Sequence, residues 1–181
     1  MKEVVIVGGV RTPNGGHGGA FRTLTPQHQA ALVFREVIER VGIDPLLFDD
    51  VILGCIGQQS DAVNIGRVAG LLAGVPVNVP GYTVQRNCVS GMQSITSACQ
   101  AIQAGDGEVF LSGGTESMST SPYVVRGARW GLKLRHDTFV DTLWEGLTDP
   151  VCGLMMGATA ENLAMMYAIS RQEQDKFAVM S

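Results

Sequence analysis

Through residues 4–114, short apolar runs alternate with stretches whose apolar residues recur every three or four positions. Val4-Val5-Ile6-Val7, closed by Gly8-Gly9, is a continuous apolar run and predicts a strand buried on both faces. Ala30, Ala31, Phe34, Val37, Ile38 and Val41 form a stripe at helical spacing, with Arg35, Glu36, Glu39 and Arg40 on the other face. Thr25 is the expected N-cap of that helix, Pro26 its first residue and Gly42 its stop. Val51-Ile52-Leu53 before Gly54 predicts a second strand, Ile65–Ala73 a small-residue helix ended by Gly74, and Tyr82–Gln85 a third strand. A helix follows from near Val89 to Ala104, with Met92, Ile95, Ala98, Cys99 and Ile102 on one face and Gly105 at its C-cap. Val109–Leu111 is the fourth predicted strand, ahead of Gly113-Gly114. Strands and helices taking turns predict an α/β fold with a mostly parallel sheet covered by helices.

Beyond Thr115 the periodicity fades. Residues 116–157 carry both tryptophans, Trp130 and Trp144, and predict an insertion or cap. The expected organisation is an α/β core over 1–115 and part of a cap region over 116–181. Ser170 followed by Glu173 is a capping box that starts a helix, and that helix reaches Ser181 with no glycine, asparagine or proline to end it. The natural chain is therefore expected to continue.

With 45% hydrophobic and 17% charged residues, the composition excludes a disordered segment. No apolar run approaches the ~20 residues that span a bilayer, and the first is too short for a signal-peptide core. A soluble protein of the cytoplasm or an organellar matrix is expected. A net charge of -4 argues against nucleic acid as a partner. Cys55, Cys88, Cys99 and Cys152 show no metal-ligand spacing, which predicts reduced thiols and no metal.

Cys88 stands out by position, between a predicted strand and a predicted helix. A turn there exposes the sulfur at the carboxyl end of the sheet, where open α/β folds place ligands. The helix N-terminus favours a thiolate, and free amides nearby can hold an acyl oxygen as it gains charge. Most lone cysteines are instead buried core residues, and Cys99, on the apolar stripe, is assigned to the core. Cys55 follows a strand end and is a candidate pocket residue; Cys152 has no assignment. A hydrolase nucleophile elbow needs glycine two residues before and two after the nucleophile. Arg86 and Ser90 occupy those positions, so that motif fails. No G-x-G-x-x-G follows Val7, which argues against a dinucleotide site.

Asn87-Cys88-Val89-Ser90-Gly91-Met92-Gln93 resembles the thiolase signature around the acyl-accepting cysteine. Val10-Arg11-Thr12-Pro13 and Gly113-Gly114-Thr115-Glu116-Ser117-Met118-Ser119 are similar to two further blocks of that family. Gly146-Leu147-Thr148-Asp149, Met156 through Asn162, and Ser170 through Ala178 are similar to stretches of its loop domain. The resemblance is collinear from residue 4 to 181 and implies the N-terminal portion of a thiolase. It implies acyl transfer between coenzyme A thioesters, for 3-ketoacyl-CoA thiolysis or acetoacetyl-CoA formation in fatty acid metabolism. Coenzyme A and acyl-CoA are then substrates, and no cofactor is held covalently. Cys88 would be the nucleophile and its own amide one oxyanion donor. Leu147 resembles a coenzyme-contacting residue and Met156 one that flanks the acyl pocket. A homodimer or homotetramer is implied for the full-length protein.

Several family parts are absent from the sequence: Gly-His-Pro, Asn-Glu-Ala-Phe and the Cys-x-Gly near the family's C-terminus. His17, His28 and His136 match none of these motifs and are expected to be solvated. The alternative reading is thus a non-catalytic fragment or subunit that needs a partner chain. A first half standing alone would leave the stripe of the 89–104 helix uncovered. Met155 stands where some family members have histidine, which favours a longer or more apolar acyl chain; Val89 replaces a smaller residue beside the nucleophile.

Overall fold

Val51, Ile52 and Leu53 are each 1% exposed, so the strand they form is covered on both faces. In the computed structural model, which describes residues 2–132, 134 and 136–181, this strand (β1, Asp50–Gly54) is the centre of a parallel sheet. β2 (Gly81–Val84) lies on one side and β3 (Phe110–Gly114) on the other, giving the order β2-β1-β3. The register aligns Gly54 with Val84 and with Gly114, so the three strands end level. Helix α2 (Ile65–Ala73) connects β1 to β2, and α3 (Ser90–Ala104) connects β2 to β3. α1 (Pro26–Val41) packs beside α2.

The strand period of two sorts the side chains. Val51 and Leu53 join Phe34 of α1 and Ile65 and Ala69 of α2 in the hydrophobic core, while Gly54 faces α3. The loops that leave β1 and β2 therefore run to opposite faces of the sheet. A crevice opens between such loops, and that is where open α/β sheets bind ligands.

The predicted first strand is not formed. Val5, Ile6 and Val7 are 68%, 79% and 73% exposed, and residues 4–9 belong to no sheet. They run along one wall of a groove of about 560 Å3 whose other walls include Phe110, Leu111, Ile95, Cys99 and Ile102. An apolar run becomes a strand only beside a neighbour at ladder distance, and the groove separates this one from β3. The core assignment of Cys99 is likewise corrected, because that thiol is half-buried on the groove wall. The cause lies in how α3 docks. It buries Ser90, Ser94 and Ala98, four residues apart, against the strand ends, and leaves Met92 and Ile95 66% and 45% exposed. Small residues win that face because the backbones meet closely there; the Ser94 hydroxyl lies 2.7 Å from the carbonyls of Gly91 and Gly113.

Thr25 precedes α1 as expected, yet its hydroxyl caps no amide and lies 2.7 Å from His28 Nδ1 instead. α1, α2 and α3 each end on a left-handed glycine, Gly42, Gly74 and Gly105.

The chain forms two compact units, Met1–Ser121 and Pro122–Ser181. The second contains an antiparallel pair, β4 (Tyr123–Val124) with β5 (Val140–Asp141), which the weak periodicity of 116–157 did not reveal. α4 (Thr142–Gly146) follows, N-capped by the Asp141 carboxylate, which accepts from the Leu143 amide at 2.9 Å. α5 (Met156–Met166) and α6 (Arg171–Met180) complete it. The capping box at Ser170 forms in full: Glu173 donates its amide to the Ser170 hydroxyl and accepts the Ser170 amide.

Candidate functional site

Cys88 is exposed, on the turn from β2 into α3. The turn is built by its neighbours. Asn87 has φ of 46°, the left-handed region that asparagine tolerates better than most residues. The Ser90 hydroxyl accepts the Arg86 amide at 2.8 Å and donates to the Asn87 carbonyl at 2.6 Å. Val89 and Ser90 donate their amides back to the carbonyls of Arg86 and Asn87, at 3.2 and 3.1 Å. Ser90 is 4% exposed, so one buried hydroxyl braces the chain on both sides of the cysteine.

The floor beneath the turn is backbone against backbone. A Cβ on Gly54 would lie 2.5 Å from the Gly91 nitrogen and closer still to the Ser90 carbonyl. One on Gly114 would lie 2.8 Å from the Gly91 Cα. The ends of the three strands are laced together here: the Cys55 amide donates to the Val84 carbonyl at 3.2 Å, and the Thr115 amide to the Gly54 carbonyl at 3.0 Å. Cys88 thus lies past the carboxyl end of β2, two residues ahead of the start of α3.

Cys55 is 1% exposed and belongs to the core rather than to a pocket wall. Burial pushes its thiol up to about 12, helped by the Glu116 carboxylate beside it. The Sγ to Oε1 distance is 3.8 Å. A thiol held protonated is a poor nucleophile. Spacing and periodicity alone single out neither Glu116 nor Ser90; both lie inside the quoted motifs, which is the one signal that marks them.

His17 and His28 are exposed, as is His136. A cavity of about 480 Å3 in the first unit is lined by Arg11, Asn14, His17, Glu116 and Ser119, and Cys88 does not line it. Among the described residues, no group of three or more His, Cys, Asp or Glu could hold a metal ion, and no helix is long and apolar enough to cross a membrane.

In the second unit, Leu147 and Met156 come together. The Met156 amide donates to the Leu147 carbonyl at 3.1 Å, and the Asp149 amide to the Leu154 carbonyl at 2.9 Å. The intervening turn is held by the Asp149 carboxylate, which accepts the amides of Val151 and Cys152 at 2.6 and 3.2 Å, with Gly153 in the left-handed region at φ of 72°. Leu147 is half-buried at the end of α4, and Met156 is 47% exposed at the start of α5. Cys152 is exposed on the turn between them.

Residues 4–181 match the family described as thiolase, N-terminal domain. A probable acetyl-CoA acyltransferase of Staphylococcus aureus (strain COL) is 42% identical over 182 residues, covering 100% of this chain and 46% of the relative. The crystal structure of the Bacillus anthracis acetyl-CoA acetyltransferase superposes with a TM-score of 0.93 at 48% identity, over 97% of this chain and 44% of that one. Human mitochondrial 3-ketoacyl-CoA thiolase in complex with CoA gives 0.90 at 41% identity, over 96% and 45%. The chain spans about half the length of the curated relatives it matches.

Proposed function

The chain belongs to the thiolase N-terminal domain family, and we propose that it is the acyl-accepting half of a coenzyme A acyltransferase, with Cys88 as its nucleophile. The observation that carries this reading is the exposed thiol on a braced turn, at the carboxyl end of a parallel sheet and just ahead of α3. In the first step the Cys88 thiolate attacks the carbonyl carbon of an acyl-CoA or 3-ketoacyl-CoA. From acyl-CoA, the carbon–sulfur bond to coenzyme A breaks and coenzyme A leaves with a proton as the free thiol. From 3-ketoacyl-CoA, attack at the 3-keto carbon breaks the bond between C2 and C3, and the departing acetyl-CoA takes up a proton at C2. Either way the acyl group remains on Cys88 as a thioester. In the second, a coenzyme A thiol removes it, or the carbanion of another thioester does so and a carbon–carbon bond forms. Splitting the reaction into two acyl transfers is covalent catalysis.

The Cys88 amide is assigned as one oxyanion donor; the turn's own hydrogen bonds use the amides of Val89 and Ser90. Leu147 is assigned to contact coenzyme A and Met156 to flank the acyl pocket, and the hydrogen bond that ties them together supports treating them as one element. Met155, in place of a histidine, favours a longer or more apolar acyl chain. The general base and the second cysteine are assigned to polypeptide outside these 181 residues, because no Gly-His-Pro occurs among them. The completed enzyme is read as a cytoplasmic homodimer or homotetramer.

A thiolysis assay with acetoacetyl-CoA tests this reading. The 181-residue chain alone should turn over near background, since losing a general base costs about 10²–10⁴-fold and losing an oxyanion donor about 10²–10³-fold. The same chain continued through a thiolase C-terminal half should be active, and Cys88→Ala in that longer protein inactive. Full activity of Cys88→Ala, or robust turnover by the chain alone, overturns it.

A further inference from the structure

Glu116 lies just beyond β3, outside the turn that carries Cys88, and the chemistry above makes no use of it. Its carboxylate nevertheless has three close partners on one loop. Oε2 accepts the Ile56 amide at 2.9 Å, Oε1 accepts the Gly57 amide at 3.0 Å, and the Cys55 thiol lies 3.8 Å from Oε1. The approach is tight: a Cβ on Gly57 would lie 2.9 Å from Oε1. Cys55, Ile56 and Gly57 are the loop that leaves β1, and its first residue and the strand end before it touch the two elements that flank the Cys88 turn. The Cys55 amide holds the carbonyl of Val84, the last residue of β2, and Gly54 supports Ser90 and Gly91 with no room for a side chain.

We propose that Glu116 is a positioning residue, which clamps the 55–57 loop and through it fixes the height and register of the Cys88 turn. This rests on the reading of Cys88 as nucleophile. The chemistry asks for a carboxylate in particular. Two successive amides that point the same way form a small anion-binding concavity, and bonds to an ionised acceptor are about twice as strong as neutral ones. Glutamine fills the same space but offers one acceptor oxygen, and its amide group turns donors toward a donor.

Glu116→Gln is therefore the discriminating variant, with two readouts on the whole chain. The first is amide hydrogen exchange by mass spectrometry. Protection should fall in peptides covering 55–57 and 84–90 and stay unchanged across 26–41. The second is the rate at which iodoacetamide labels Cys88, which should shift in Glu116→Gln while the rate for Cys152, in the other unit, does not. Loosening confined to 55–57, with 84–90 as protected as before, overturns the proposal. So does loss of protection across 26–41 as well, which would make Glu116 a support of the whole unit. If Cys88 in the unaltered chain labels no faster than Cys152, the nucleophile reading fails, and the exchange data still decide whether Glu116 positions the turn.

Discussion

Ser90 donates its hydroxyl to the carbonyl of Asn87 at 2.6 Å, across the residue that carries the exposed thiol. The same oxygen takes the Arg86 amide, so Ser90→Ala removes both side-chain bonds that brace the turn and leaves the Asn87 carbonyl only the backbone amide of residue 90. A loss of about 0.5–1.5 kcal/mol is expected for each hydrogen bond removed. Denaturant titration of Ser90→Ala should show that loss, and iodoacetamide should label its Cys88 at an altered rate. Unchanged stability together with an unchanged rate would remove the brace from the account.

Gly54→Ala should be worse. Its methyl meets the backbone of Ser90 and Gly91, which cannot move aside as a flexible side chain would. Overpacking typically costs about 1–3 kcal/mol, and here the strain falls on the first turn of α3. The expected outcome is a lower melting temperature with loss of selective Cys88 labelling. Gly127→Ala serves as a comparison, since nothing lies within 4 Å of its added Cβ, although its φ of 80° carries a backbone cost of its own. Gly54→Ala as stable and as reactive as the unaltered chain contradicts the close-packed floor.

Cys55 makes a prediction about alkaline pH. Its thiol is pushed from the ordinary 9.0 up to about 12 in the folded chain. Between those values the unfolded chain releases a proton that the folded chain keeps, so the stabilisation is fully present below 9.0 and is lost as pH rises toward 12. The slope stays below the limiting ~1.4 kcal/mol per pH unit. Chemical unfolding at a series of pH values should show a decline above pH 9.0 that Cys55→Ala reduces. Equal slopes in the two proteins would remove the buried thiol as its cause.

Most of the first unit is legible in the sequence because its signals are local. Pro26 and Gly42 bound α1, Gly74 ends α2 and Gly105 ends α3, each within one turn of chain. Val4–Val7 misleads because an apolar run records a preference for burial and says nothing of whether a neighbouring strand is present. Cys99 misleads for a related reason: the periodicity finds the widest apolar stripe of α3, whereas close backbone contact selects the face of Ser90, Ser94 and Ala98. Cys88 is marked by its place between strand and helix. The supports beneath it, Glu116 to Ile56 and Gly54 to Ser90, join residues far apart in sequence, and no local period encodes them.

The most direct test of the central claim is acyl transfer to Cys88 itself. The chain is incubated with acetyl-CoA near neutral pH, digested, and its cysteine peptides are examined by mass spectrometry, with circular dichroism to confirm the fold. Slow attachment of one acetyl group is predicted on the peptide carrying Cys88, removable by hydroxylamine as a thioester should be, and absent in Cys88→Ala. Acetylation that falls on exposed Cys152 while Cys88 stays free would contradict the account.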